Sequence, residues 1–531
     1  MTTAAKGRTA TSKEAASAGA STGSAAGSDP GEGSPAAAPP KPAAPRVPHH
    51  LPTGLGHRLR QGARRMGGRA YWTTPRLVRG LTALSLAALL GLGATATGVL
   101  GGARDGTDTI GHGAAPQAAR AADLYFALSD MDAQAANLLL IGADPDYTAL
   151  HRTTLDTYEQ RRAQADDDLQ QAAQAAADDS ASQRAVQRVL GELGSYEALV
   201  ARAQLLEDQA KAPAGKPSEE ALTAYRQATD LLRQQLLPAA DQVTAANEAV
   251  VDHVYAQQRS DLDSGWWELA AVGLFALVAL FALQRTLAVR YHRVVNPALA
   301  AVTLVTAVVL AAGLHLVSTA DGNLVTAKSN AYDSVIALSR ARAVAYDMNA
   351  DESRYLADPV LAATYQRTYL EKSQAVVRLD GATVTDYDGR LETAAAKHLA
   401  DRSVPFGGYL GTELNNITFP GERDAAERVL AAFRSYQQVD HKIRVLHDAG
   451  QLKDAVTLNT GLSKGQSNYE FDQLSKAMGD TIDVNSRAMD AAVAATDDAL
   501  DGTTATLAAV VLAAALVLVA VGVRPRLREY R

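Results

Sequence analysis

The amino-acid sequence predicts an all-α membrane protein with four transmembrane helices and two tandem extracytoplasmic antiparallel helical bundles from an internal duplication. Three observations carry this prediction. Four windows are long and apolar enough to cross a bilayer. Alanine is abundant and aromatic residues make up only 5% of the chain, which favours helix over sheet. Two similar phrases, RVLGELGSYEALVARAQLLED and RVLAAFRSYQQVDHKIRVLHD, begin at Arg188 and Arg428.

The chain begins with a stretch, residues 1–70, that we predict to be a disordered cytoplasmic tail. Up to Pro52 it is dominated by Ala, Gly, Ser, Thr, Pro and Lys. Such a composition cannot bury enough apolar surface to offset the entropy lost on ordering. No apolar segment lies near the start, so the stretch does not read as a signal peptide.

The apolar windows predict four transmembrane helices of about 20 residues each. The centres of these windows lack Asp, Glu, Lys and Arg, and Trp266 and Trp267 mark a membrane interface, where indole rings prefer to lie. A transporter would show ionisable or broken segments near the bilayer middle, so these plain spans do not favour transport. The predicted spans cover residues 81–100, 266–283, 298–317 and 504–523.

Arginine-rich flanks predict the orientation of these spans. Several arginines precede the first span, and others occur in the link 284–297 and in the tail 524–531. The positive-inside rule therefore places both termini and a basic hairpin in the cytoplasm, with the protein in the plasma membrane. The connections 103–264 and 319–503 are long and acidic, and they would lie outside.

These cytoplasmic segments leave no room for an enzyme, so any signal must pass to another protein. The arginines of the hairpin and the tail are natural contact points for such a partner. The alternative is that they only set the topology and touch anionic lipid. The candidate partner-binding residues are Arg285, Arg290, Arg293, Arg524, Arg526 and Arg528.

The repeated phrase predicts that the chain contains two copies of one membrane-anchored module. Arg, Ser, Tyr and Asp recur at matching positions, for example Tyr196 and Tyr436. Apolar residues recur every three or four positions in both copies, which places them on one face of an amphipathic helix. The fragments FALS, ADPD and RTTLD also return in the same order as IALS, ADPV and RTYLE. We interpret these matches as an internal duplication.

Each connection is expected to fold as an antiparallel helical bundle, because chain entry and exit share one membrane face. In the first bundle, turn and cap residues divide the chain into four helices, and Pro238 should kink or interrupt the last of them. The predicted helices cover about 115–142, 146–177, 181–211 and 218–261.

The second connection carries an additional segment, 401–422, with glycines, prolines and aromatic residues that the first copy lacks. A 20-residue irregular loop in a compact domain is uncommon and often functional, although loops also tolerate insertions without a function. A ligand or partner site is one interpretation and a plain surface insertion is the other. The candidate residues are Phe406, Tyr409, Asn416 and Phe419.

No catalytic chemistry is visible in the sequence. The chain has no cysteine, no phosphate-binding glycine loop and no HExxH motif. His441 and His447 are six residues apart and are expected to be surface residues. The run at residues 166–168 is expected to be a solvated acidic face, and the pair Asp144 and Asp146 is expected to cap a helix rather than to bind a cation. We therefore predict no enzyme, no metal and no cofactor, and the net charge of −7 argues against nucleic-acid binding.

Helical bundles held between two spans resemble the four-helix sensor domains of bacterial chemoreceptors and histidine kinases, although this chain lacks their output domains. Two such modules, a disordered start rich in Ala and Pro and a basic RPRLREYR end also resemble a narrower group. These are actinobacterial membrane proteins that link an extracytoplasmic glutamine/glutamate-binding lipoprotein to the soluble Ser/Thr protein kinase G. The resemblance covers about residues 70–531 and implies an amino-acid-sensing relay between those two partners.

Three functions compete at this point. The first is a non-enzymatic signal-relay receptor whose bundles sense a ligand or a ligand-loaded binding protein. The second is a static envelope scaffold, and the third is a transport component. The sequence leaves the ligand and any formation of a homo-oligomer open.

Overall fold

The computed structural model describes residues 74–175, 180–291 and 296–528. The predicted tail over residues 1–70 lies outside these ranges. Within them the chain is helical, and its one strand-like feature is an isolated antiparallel bridge between Arg378 and Gly407. The α-helices are α1 (Thr74–Asp108), α2 (Ala115–Ile141), α3 (Thr148–Ala175), α4 (Ser180–Ala210), α5 (Glu219–Leu231), α6 (Leu237–Tyr291), α7 (Pro297–Val325), α8 (Asp333–Ala357), α9 (Ala362–Val376), α10 (Tyr387–Asp401), α11 (Gly408–Asn415), α12 (Glu422–Asp448), α13 (Leu452–Thr460), α14 (Ser467–Ala499) and α15 (Gly502–Arg528).

Four of the helical segments are long and apolar enough to cross a membrane, which confirms the prediction of an all-α membrane protein. Their most apolar windows have mean hydropathy between 1.8 and 2.8. The first three predicted spans lie inside these segments, in α1, α6 and α7, and the fourth, 504–523, lies in α15 and starts two residues before the last segment. The four segments are Pro75–Ile141, Glu219–Arg290, Pro297–Ala357 and Thr506–Pro525.

Three of these segments continue far beyond a bilayer's thickness because short π-helical turns join consecutive α-helices without a break. The turn π1 (Thr109–Ala114) joins α1 to α2, π2 (Leu232–Leu236) joins α5 to α6, and π3 (Thr326–Tyr332) joins α7 to α8. A continuous helix of 67 residues, such as the first, is about 100 Å long. Each of these helices therefore links an apolar span directly to a polar bundle.

Pro238 stands in the first turn of α6, directly after π2, and the helix continues through it. Proline lacks the backbone N–H that would bond to the carbonyl four residues earlier. A π turn is a common way for a helix to absorb such a defect without ending. At the predicted interruption, Pro238, the helix is thus only locally widened into a π turn. The helix predicted over 218–261 continues to Tyr291.

The polar parts of the chain form two bundles. The first bundle consists of α2 to α5 and the start of α6, and the second bundle consists of α8 to α14. Both repeated phrases bury the predicted apolar stripe, on α4 and α12 respectively, except for its last residue, which is half-buried in each. Tyr196 and Tyr436, at matching positions of the two phrases, are each 0% exposed. The other buried stripe residues are Val189, Leu193, Val200 and Ala203 in α4, and Val429, Phe433, Val439 and Ile443 in α12.

The helices α2 and α8 pack against each other along the contact between the two bundles. We call this contact the seam. Both helices are buried on almost all sides, and every residue of the stretch 345–357 in α8 is buried. A helix buried all round is normally apolar. The helix α8 instead carries many charged residues, and α2 adds the buried Asp130 and Asp132. The candidate site is built from these charged groups.

Candidate functional site

A fully buried arginine lies at the centre of the seam. The Arg354 guanidinium pairs with Asp132 of α2 across the seam, and with Asp351 at 2.5 Å and Asp347 at 3.3 Å on its own helix. Its Nε also donates to the Tyr225 hydroxyl at 3.0 Å. Burial lowers the pKa of Arg354 to about 10, so the guanidinium stays protonated at neutral pH.

A second buried cation, Lys372 of α9, neutralises the acids that Arg354 shares. Its Nζ lies 2.7 Å from Asp347 and 2.5 Å from Asp351, and the Thr368 hydroxyl donates to Asp351 at 2.6 Å. Burial raises the pKa of Asp351 and lowers the pKa of Lys372, since each charge is removed from water. Two cations and three carboxylates thus form one network inside the protein.

Further polar bonds cross between the two bundles. Arg226 of α5 donates two bonds to Asp358 after α8, at 2.7 and 2.8 Å. Ser353 donates to Asn137 at 2.6 Å. Ion pairs in a protein interior recover little more than their desolvation penalty, whereas they demand one particular geometry. The seam therefore fixes the register of α2 against α8 more than it adds stability.

An open cleft of about 650 Å³ lies beside the seam, between the two bundles. It is lined from the first bundle by Tyr125 and Arg233, and from the second by Arg340 and Asp347. The predicted candidate residue Tyr409, at the start of α11, completes this lining. Asp347 belongs to both the cleft and the buried network, so the two features touch.

The segment 401–422 is not an irregular exposed loop in the structure. The segment contains the helix α11, and Phe406, Leu410 and Leu414 are buried in the core of the second bundle. Glu422 closes the segment by accepting hydrogen bonds from two backbone N–H groups, those of Thr418 at 2.6 Å and Phe419 at 2.9 Å.

The four candidates of this segment therefore do not form one site. Phe406 packs in the core, Tyr409 lines the cleft, and Phe419 is half-buried. Asn416 donates to the Ser334 hydroxyl of α8 at 3.3 Å. An irregular loop was expected because glycines and prolines interrupt the pattern, but a helix of eight residues fits between Gly407 and Asn416.

The predicted basic contact points lie at the ends of apolar helices. Arg285 and Arg290 are exposed on α6, and Arg524 is exposed on α15. Arg526 and Arg528 belong to the last turns of α15. Arg293 lies outside the described residues.

The expectations for acidic and histidine residues were partly wrong. Asp168 is buried, because α3 packs against α2, and burial together with the nearby charge of Asp123 raises its pKa to about 6. His447 is half-buried, with Nδ1 2.9 Å from the Tyr355 hydroxyl, whereas His441 is exposed as expected. Within the described ranges, no group of His, Asp and Glu side chains has a metal-binding arrangement.

The Asp144 side chain caps a short helix, as predicted. One of its oxygens accepts from the backbone N–H of Asp146 at 3.0 Å, at the start of the 3-10 turn Pro145–Tyr147. In the matching fragment, Asp358 accepts from the N–H groups of Val360 and Leu361. Both ADP fragments thus serve as caps at the end of a seam helix.

The residues of the seam were missed by reasoning from the sequence. The stretch 347–354, DMNADESR, shows no apolar stripe, which is typical of an exposed segment. The one available signal is its position, since it continues a transmembrane helix into a bundle.

One comparison with known proteins gives a result. Residues 106–256 match the family model described as an actinobacterial sensor domain. This range runs from the end of α1 through the first bundle into α6. No curated protein and no solved structure matches the chain. The matched domain indicates a sensing or signalling role for this membrane protein.

Proposed function

We propose that the chain is a non-enzymatic transmembrane signal-relay receptor. Its two bundles lie outside the plasma membrane and sense a ligand or a ligand-loaded binding protein. Its spans pass that state to a cytosolic partner. The observation that carries the proposal is the charged seam, because both of its helices continue without a break into membrane spans.

A change at the seam can reach the spans through continuous helices. The helix pair α1–α2 passes through π1, and the pair α7–α8 passes through π3, between span and seam. π-helical turns occur frequently at functional sites, where the helix changes its winding. Because buried ion pairs exist in discrete arrangements, a shift of α2 against α8 exchanges partners in steps rather than gradually.

The size of the required signal is modest. A ligand shifts a two-state equilibrium only by the difference between its affinities for the two states. A shift from about 1:99 to about 99:1 needs roughly 5.5 kcal/mol of differential binding. Loss of one buried partner at the seam is of the same order, about 3–5 kcal/mol. The seam can therefore form the two-state element of the receptor.

The inner contact is proposed from the arginine flanks. The positive-inside rule puts both termini, the hairpin 284–297 and the tail 524–531 in the cytoplasm. The exposure of Arg285, Arg290 and Arg524 supports their availability to a partner such as a Ser/Thr kinase. The resemblance to the group acting with protein kinase G supports a glutamine- or glutamate-binding lipoprotein as the outer partner.

We also infer that the two modules arose by duplication. In each bundle the tyrosine of the repeated phrase donates to a carboxylate of that bundle's first helix. Tyr196 reaches Asp132 at 3.2 Å, and Tyr436 reaches Glu352 at 2.9 Å. The two acids stand at different places on their helices, 11 residues before Ala143 and 5 residues before Ala357, so only the buried tyrosines match in position. Their equivalent place and their bond to an acid of the first helix support a common origin together with the shared fragments.

The relay is tested by a crosslinked pull-down of the full-length protein from native membranes, read by mass spectrometry. One variant changes Arg285, Arg290 and Arg293 to Ala. Its charge-matched control changes three exposed arginines of the first bundle, Arg152, Arg184 and Arg202. Recovery of a solute-binding lipoprotein and a cytosolic kinase, with only the kinase lost in the first variant, supports the relay.

Recovery of envelope-building proteins alone, unaffected by either variant, refutes the relay and leaves the scaffold. A deletion of residues 401–422 is unsuitable for this experiment, because the segment supplies Leu410 and Leu414 to the core. Coupling between the two sides is then tested with Asp132→Asn, which keeps the shape of the seam but removes one charge. We expect this variant to keep both partners and to lose the dependence of kinase crosslinking on the outer partner.

A further inference from the structure

The cleft beside the seam contains hydrogen-bond donors that the protein itself does not use. The Arg233 side chain is 26% exposed, and the nearest carboxylate to its guanidinium, that of Asp351, is 3.8 Å away. Within the part of the chain that the structure describes, no acceptor lies within hydrogen-bonding distance of this guanidinium or of the hydroxyls of Tyr125 and Tyr409. The guanidinium of Arg233, which has Asp351 only as an ion-pair partner, and the two tyrosine hydroxyls thus line one cleft with unused hydrogen-bond donors.

The acceptors around the cleft are already occupied. Asp347 is held by Lys372 at 2.7 Å and by Arg354 at 3.3 Å. Arg340, the other cation of the cleft, is occupied by Glu248 at 3.0 Å and by Asp241 at 3.3 Å. The unused hydrogen-bonding groups of the cleft are therefore donors, and they favour a ligand with acceptor oxygens.

The charge around the cleft limits the ligand further. Arg233 offers one positive charge in a fork that matches a carboxylate. The charges of Arg340, Asp241 and Asp347 are already paired, so Arg233 alone is left to balance a ligand, which favours one negative charge over two or more. The side chains of Leu237, Pro238 and Val344 supply an apolar wall beside these groups.

We propose that this cleft binds a small organic monocarboxylate, whose carboxylate pairs with Arg233 and accepts from Tyr125 and Tyr409 while its carbon chain rests on Leu237, Pro238 and Val344. The volume of about 650 Å³ lies within the range of small-molecule sites. Because the lining comes from both bundles, binding would hold them in one relative arrangement. This inference rests on the proposed receptor function, for which it supplies a ligand class.

The experiment measures binding to the full-length protein in nanodiscs by isothermal titration calorimetry, without any partner protein. The probes are acetate, propionate, butyrate and alanine, with phosphate and citrate as polyvalent comparisons. We expect at least one of the monocarboxylates to bind with a dissociation constant no weaker than about 1 mM, and more tightly than phosphate or citrate.

The variants locate the binding site. Loss of hydrogen bonds to a charged group should weaken binding about tenfold or more in Arg233→Gln, and about two- to tenfold in Tyr125→Phe or Tyr409→Phe. Arg152→Gln removes a charge from the exposed face of α3 and should leave the affinity unchanged. The two tyrosine variants keep their rings, so they test the site even if Arg233→Gln folds poorly.

Three results would overturn the inference. One is no binding of any of the four monocarboxylates to the folded protein. Another is equal affinity in the variants at Arg233, Tyr125 and Tyr409 and in the wild type. The third is tighter binding of phosphate or citrate through Arg233. None of these results would refute the relay, because the relay is tested by the recovery of partner proteins. Conversely, monocarboxylate binding could still be measured if the pull-down recovered no partner.

Discussion

Replacement of Arg354 by methionine tests whether the seam is an ionic network in the folded protein. The substitution keeps most of the side-chain volume and removes the charge. Lys372 still reaches Asp347 and Asp351, so those two acids retain a cation. Asp132 retains only the Tyr196 hydroxyl at 3.2 Å and becomes an unpaired buried carboxylate.

Removal of one partner from a buried ion pair destabilises a protein by about 3–5 kcal/mol. We expect Arg354→Met to lower the free energy of unfolding by that amount, measured by urea-induced loss of helical signal in nanodiscs. The control is Arg162→Met, which removes an exposed pair with Glu159 at 2.8 Å and should cost less than about 1 kcal/mol.

A second substitution separates the ionic explanation from simple loss of packing. Asp132→Asn in the Arg354→Met background removes the unpaired charge, so we expect part of the lost stability to return. The deficit of the single variant should also shrink at acidic pH. An unpaired buried acid has a raised pKa in the folded state, so its destabilising effect grows as the pH rises above the unfolded value. Equal stability of Arg354→Met and Arg162→Met, or no rescue by Asp132→Asn, would refute the ionic seam.

Two further predictions concern buried carboxylates. Burial, and then the charge of Glu422, raises the pKa of Glu413 to about 7, so its destabilising effect should grow between about pH 4.5 and about pH 7 and then stay constant. Urea titrations across this pH range should show that the unfolding free energy of the wild type falls by up to about 3 kcal/mol relative to that of Glu413→Gln. Parallel pH profiles of the two proteins would contradict this prediction. Tyr196→Phe and Tyr436→Phe should each cost about 1–3 kcal/mol in unfolding free energy, because each removes one donor from a buried carboxylate that then keeps only Arg354 or Ser467. A negligible loss in both would show that these hydroxyls do not hold the acids.

The amphipathic helices and the spans could be predicted because their signals are local. The apolar stripe of α4, from Val189 to Ala203, needs only the helical period, and the spans need only length and composition. The seam could not be predicted in this way, because it depends on contacts between distant positions: Asp132 and Arg354 are 222 residues apart. The sequence pattern of α2 does not reveal that α8 covers it, and the pattern of α8 does not reveal that α2 does.

The segment 401–422 shows a second limit of local reasoning. Its composition is that of a loop, and its glycines suggested irregular structure. Gly408 does adopt a left-handed conformation, with φ of +79°, where a Cβ would lie 2.7 Å from the Ala375 carbonyl oxygen. Directly after it, Leu410 and Leu414 are four residues apart and face the core as one turn of helix. Eight residues are too few for a clear helical period in the sequence, so tertiary packing decides this element.

Arg233 connects the cleft to the seam, and this connection suggests how a ligand would act. The guanidinium lines the cleft and also lies 3.8 Å from Asp351, which pairs with Arg354 and Lys372. A carboxylate bound to Arg233 competes with Asp351 for that positive charge. Asp351 then depends more strongly on Arg354, the residue that also holds Asp132 of the opposite helix. Ligand binding would therefore redistribute the ion pairs that fix α2 against α8, without any direct contact between ligand and membrane span.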